Sequence, residues 1–175
     1  MALVLMPIPP NAYVDRKWRF AITVPRGWKI VDPQKITFKG SVSTDWNLVA
    51  TLVSDAGSSA PTVTVNARQR GWANATPDSR GIAEVERWIH AAYGSQASLQ
   101  LETKLRVVST LDAFYTWILA TLPNGRRMTM DMYVVPVVNE TYAITATLDG
   151  GDKHPQTAEA VLAIAQGFYV FKGWE

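Results

Sequence analysis

The chain has no cysteine. That removes disulfides, thiolate nucleophiles and cysteine-held metals from its chemistry. Histidine is nearly as scarce, with only His90 and His154 in 175 residues. Two imidazoles so far apart give no His-x-x-x-His spacing, and Asp149 with Asp152 are too few acids for a calcium loop, so no metal or cofactor is expected. There is no Gly-x-Ser-x-Gly nucleophile turn and no glycine-rich phosphate cradle. Charged residues make up only 18 % and sum to +2, too little to argue for nucleic acid or an anionic membrane. No apolar run reaches the ~18 residues of a membrane helix, so no integral membrane segment is expected. The start MALVLMPIPP lacks a basic n-region and breaks at Pro7, so it is not a complete signal peptide.

What is present is apolar and aromatic. Hydrophobic residues are 47 % and tryptophans number seven, which argues for one globular domain with an aromatic-rich core. Residues 1–14, with Pro7, Pro9 and Pro10, read as an extended arm, and residues 15–175 as a single domain. The most organised stretch is Ala113 to Pro136, two β-rich runs around Pro123-Asn124-Gly125. A two-residue turn centred on Asn124-Gly125 places Leu119 opposite Met130 and Trp117 opposite Met132. One face of the ribbon is then Tyr115, Trp117, Leu119, Met130, Met132 and Val134. The other carries Phe114, Ile118, Ala120, Tyr133 and Val135, with Asp131 as the one polar intrusion. Both faces are apolar, so the ribbon belongs at the centre of a sheet covered on each side.

Alternation gives further strands at Lys17–Val24, a short segment from Trp28, a weak strand at 36–39, and strands at 46–54, 62–68, 99–110 and 140–148. A helix from Asp78 to Gln96 carries Ile82, Val85, Trp88, Ile89, Ala92 and Tyr93 along one stripe, with Asp78 as its cap. A second helix runs from His154 to Gln166, with Pro155 in its first turn. The expected fold is α+β: an antiparallel sheet of six to seven strands flanked by two main helices, an α-β-α sandwich.

Candidate chemistry is sparse. His90 lies four residues after Glu86 and suits a surface pair; His154 suits a cap or loop. Met128, Met130 and Met132 alternate like a soft ligand face but read as core filler. The catalytic and metal assignments are therefore none. Binding candidates are Arg68, Arg70 and Trp72, because Arg70-Gly71-Trp72 places a cation and a large aromatic on one loop. Residues 15–40 hold seven Lys/Arg against Asp15 and Asp32, a local +5 that makes either a solvated strand edge or an electropositive docking edge.

The segment Phe20-Ala21-Ile22-Thr23-Val24-Pro25-Arg26-Gly27-Trp28 resembles the opening of the PsbP/Mog/DcrB-like proteins, which end their first strand in a Pro-x-Gly-Trp-like turn. Thr141–Ala146 and Ile164-Ala165-Gln166-Gly167-Phe168 resemble the family's closing segment, with Gly167 where a serine is usual. The resemblance spans residues 17–171 and implies an α-β-α sandwich. Members include extrinsic photosystem II subunits, periplasmic lipoproteins, a Ran-binding transport factor and chaperones for secreted effectors. It implies a non-enzymatic accessory protein acting through a protein partner and extracytoplasmic, with a cytoplasmic location as the alternative; the chain is separately expected to be a monomer. A small-ligand or lipid carrier with a pocket between helix and sheet is the competing function. No functional residue carries over, since no site motif matches.

Overall fold

The computed structural model describes residues 9–31, 46–69, 78–95, 97–137 and 139–171. Ten strands are formed there: β1 Ala12–Asp15, β2 Phe20–Thr23, β3 Trp28–Val31, β4 Asn47–Ser54, β5 Thr62–Arg68, β6 Ser98–Val108, β7 Leu111–Thr121, β8 Arg127–Pro136, β9 Thr141–Asp149 and β10 Phe168–Val170. Helix α1 (Ser79–Tyr93) separates β5 from β6, and α2 (His154–Gln166) separates β9 from β10. The main sheet has seven antiparallel strands in the order β3-β4-β5-β9-β8-β7-β6. This is the expected α+β arrangement, with a helix on each face.

A second sheet, β1-β2-β10, was not foreseen. The first alternating segment does not join the main sheet; β2 pairs with β1 on one side and β10 on the other. Strand β1 takes in the last part of the expected N-terminal arm. Residues 1–8, and the weak strand at 36–39, lie outside the described residues.

The hairpin register differs from the expectation by one residue. Trp117 faces Asp131, Ile118 faces Met130 and Phe114 faces Val134. Pro123 is the cause. Its fixed φ suits the first central position of an ordinary β-turn, closed by the Gly125 N–H donating to the Leu122 carbonyl at 2.9 Å. Gly125 then takes φ +79° and Leu122 N–H donates to the Arg126 carbonyl, which makes a three-residue loop. A one-residue slip exchanges the faces of one strand relative to the other. Met128, Met130 and Met132 therefore share a face with Phe114 and Ile118, while Asp131 and Tyr133 share one with Tyr115 and Trp117.

The sheet divides the interior in two. Beneath α1, Val85 and Ile89 pack on Phe114, Ile118, Met130, Met132 and Val134. Asp78 caps this helix by accepting from the N–H groups of Arg80 and Gly81. Gly81 is required by close approach, since a Cβ there would lie 2.4 Å from Phe114 Cζ. On the opposite face, Val161, Ile164 and Ala165 of α2 and Phe20, Ile22 and Phe168 of the small sheet cover Tyr142, Ile144, Val63 and Val65. Phe20, Tyr142 and Phe168 meet in a three-ring cluster, with centroids 5.2–5.8 Å apart.

Candidate functional site

The two helices do not close both faces of the ribbon completely. Beside the start of α2, the sheet leaves a hollow of about 260 Å³ lined by Glu102, Lys104, Tyr115, Trp117 and His154. Glu102 and Lys104 come from the edge strand β6, Tyr115 and Trp117 from β7. All four point to the α2 side because Glu102 pairs with Trp117 and Lys104 with Tyr115 in the antiparallel register.

Directly behind this lining lies Asp131, with no solvent exposure at all. A buried carboxylate is tolerable only when its oxygens are occupied, and here they are. The Tyr115 hydroxyl donates to Oδ1, the Thr157 hydroxyl donates to Oδ2, and His154 Nδ1 lies 3.0 and 3.1 Å from the two oxygens. A carboxylate oxygen that accepts from the ring requires a proton on Nδ1. The His154 side chain is 47 % exposed, and its ring meets the edge of Trp117 at 5.7 Å. Burial, then the hydrogen bond to Asp131, pushes the Tyr115 phenol far above its usual ionisation range. The neighbouring Tyr133 phenol, its ring 5.1 Å from that of Tyr115, is raised mainly by burial. Both hydroxyls therefore stay protonated, Tyr115 as a donor to Asp131.

The polar intrusion noted at Asp131 is thus a paired acid whose basic partner is His154. His154 does not cap α2, whose cap position is Lys153; its ring turns back onto the sheet. These four residues come from β7, β8 and α2. The sequence flagged Asp131 and His154 separately, but with the register displaced it put Asp131 on the wrong face. The signal that joins them is Pro123, which sets the loop length. Met130 and Met132 are core residues under α1, 2 % and 1 % exposed. His90 is exposed on α1, far from this chemistry in the fold.

Of the binding candidates named from sequence, Arg68 alone is among the described residues. Arg70 and Trp72 are outside the described residues. Arg68, at the end of β5, places its guanidinium 5.0 Å over the Trp46 ring, and Trp46 packs on Trp88 of α1 at 4.9 Å. That stack sits on the α1 face of the sheet, across from the hollow. Of the basic N-terminal stretch, Arg19 is engaged by Glu140, a hydrogen bond that raises the guanidinium's pKa further. Lys29 lies 4.0 Å from Asp55. Among the described residues, no helix is long and apolar enough to cross a membrane.

No family model matches the sequence, and no curated protein matches it. The fold does have counterparts among solved structures. The solution structure of cyanobacterial PsbP (CyanoP) from Synechocystis sp. PCC 6803 superposes with a TM-score of 0.60 over 98 % of both chains, at 10 % identity. A crystal structure from Bacteroides thetaiotaomicron VPI-5482 gives 0.57 at 12 % identity, covering 94 % of this chain and 50 % of that one. At such identities the likeness concerns architecture alone, and on that architecture the chain carries a distant PsbP-like fold.

Proposed function

We propose that the protein is a non-catalytic accessory protein that engages a protein partner, with the hollow of Tyr115, Trp117 and His154 as the contact. One observation carries this reading: two aromatic rings and an imidazole line an open depression, and a dry carboxylate fixes the imidazole from behind. Aromatic groups held rigid in a partly desolvated depression are the chemistry of binding hot spots, and a ring already locked in place loses little freedom on association. Both Asp131 oxygens are committed to Tyr115, Thr157 and His154, so the carboxylate serves to orient the ring. Lys104 and Glu102 at the rim supply charges of both signs for selecting the partner. An extracytoplasmic location is part of this proposal, drawn from the family resemblance, and fractionation of the native host would test it.

The hollow is just below the ~300–1,000 Å³ of ordinary small-molecule pockets, and the α1 and α2 interfaces with the sheet are filled by fully buried Ile89, Val85, Val161 and Ile164. Selection from a displayed random-peptide library tests the proposal. Enriched peptides should lose at least tenfold in affinity for Trp117→Ala and for His154→Ala, and keep their affinity for Leu162→Ala on the outer side of α2. Peptides indifferent to all three substitutions would remove the hollow from consideration. A small molecule retained in native mass spectrometry would replace this reading with the carrier.

A further inference from the structure

We infer that the outer edge of β6 pairs with β6 of a second copy of this chain, antiparallel about Thr103, joining two seven-stranded sheets into one. The inference is argued from the strand edge and does not depend on the partner proposed for the hollow, although Glu102 and Lys104 border both. Among the described residues, no strand pairs with the outer side of β6, although it is eleven residues long and ends the sheet. Free strand edges of that length are templates for another strand, and proteins ordinarily blunt them. Leu105 and Val107 of this strand are 41 % and 69 % exposed, two of the three large apolar side chains left open among the described residues.

The sequence of β6, Ser-Leu-Gln-Leu-Glu-Thr-Lys-Leu-Arg-Val-Val, is complementary to its own reverse. A two-fold axis perpendicular to the sheet keeps each face of one copy beside the same face of the other, as an isologous contact requires. With the axis at Thr103, Leu101 meets Leu105 and Leu99 meets Val107 on the α1 face. On the α2 face, Glu102 meets Lys104 and Gln100 meets Arg106, and each pair occurs twice. Registers centred on Glu102 or Lys104 set identical charges against each other, and one centred on Leu105 sets Lys104 against Arg106. Like charges directly opposite are destabilising, and opposite charges favourable. Within one copy Glu102 and Lys104 already pair at 2.8 Å, so association extends that pair to a four-charge cluster. Because both residues also line the hollow, the second copy would bring its own hollow alongside across the axis.

Sedimentation analysis over a concentration series should give a species of twice 19.3 kDa. Glu102→Lys and Lys104→Glu should each raise the dissociation constant at least tenfold, and the combined E102K/K104E should restore association. Thermal unfolding of each variant checks that the fold is retained. Register is tested with single cysteines, which the chain otherwise lacks. Thr103→Cys sets the two sulfurs on opposing Cβ atoms about 4.5–5.5 Å apart, so a short bismaleimide should join the copies. Ser98→Cys puts them about 34 Å apart along the paired strands and should not cross-link. A single-copy mass up to about 1 mM, dimers indifferent to the charge swaps, or cross-linking at Ser98→Cys but not at Thr103→Cys would each overturn the inference.

Discussion

Replacing Asp131 by alanine separates an orienting carboxylate from one that holds the fold together. Hydrogen bonds to a charged group contribute about 1.5–3 kcal/mol each, and Asp131 accepts from Tyr115, Thr157 and His154. Counted naively, their loss would be large. Each donor, however, has somewhere else to turn. Tyr115 and His154 both border the hollow and can donate to water there. The Thr157 hydroxyl already lies 3.0 Å from the Lys153 carbonyl. Removing the acid also ends the cost of keeping a charge dry. What remains is a small void plus imperfect rearrangement, and Asp131→Ala is expected to cost about 1–2 kcal/mol. Urea unfolding followed by tryptophan fluorescence measures this. In the same variant the His154 proton should leave Nδ1 for Nε2, because no acceptor holds it, and nitrogen NMR of the neutral ring reads the tautomer directly. A loss of about 3–5 kcal/mol, the usual result of orphaning one member of a buried ion pair, would refute the reasoning. So would an unchanged tautomer.

Gly81→Ala should destabilise the protein by about 1–2 kcal/mol in chemical denaturation, because overpacking against the buried Phe114 ring outweighs the better helix propensity of alanine. Gly125→Ala, at φ +79°, should cost about 1–2 kcal/mol from left-handed strain without moving the register of the β7–β8 ribbon, as amide exchange would show. Tyr142 is fully buried and donates to the Trp18 carbonyl at 2.5 Å; burial, and then the Glu140 charge, holds its phenol well above the ordinary value of 10.0. A pKa raised on folding gives stability that is complete below the unfolded value and declines as pH rises past it. Thermal midpoints should therefore fall above about pH 10, and fall less steeply in Tyr142→Phe. At the acid end, the Asp78 carboxylate is held below its ordinary range, first by the Gly81 N–H. The start of α1 should accordingly loosen as pH drops through the carboxylate range, and amide exchange at Arg80 and Gly81 should rise; Asp78→Asn, a neutral cap, should flatten that response.

The elements with strong internal rhythm were readable in advance. The stripe Ile82, Val85, Ile89 gave α1, the cap at Asp78 gave its first residue, and the alternation of Val63, Val65 and Ala67 gave β5. What failed was geometry set by a single residue or by distant partners. Pro123 changed a two-residue loop into a three-residue one, and that step moved Asp131 to the other side of the sheet. With it went the visibility of the site, since Asp131 and His154 are 23 residues apart and meet only in the correct register. Strands β1 and β10, of four and three residues, are too short to show periodicity; they exist because β2 lies between them. Arg68 reads from sequence as a binding candidate; its guanidinium lies over the Trp46 ring, a contact that no local pattern discloses.

The small sheet also sets a timetable for synthesis. Ile22 is matched with Phe168, so a segment emerging early from the ribosome waits for one made nearly last. At about 5–20 residues per second, the delay is roughly 7–30 s, during which Phe20 and Ile22 have no permanent cover. A nascent chain of this protein is therefore a natural client for holding chaperones, and slowing translation over α2 should increase its loss to aggregation more than slowing it over β3.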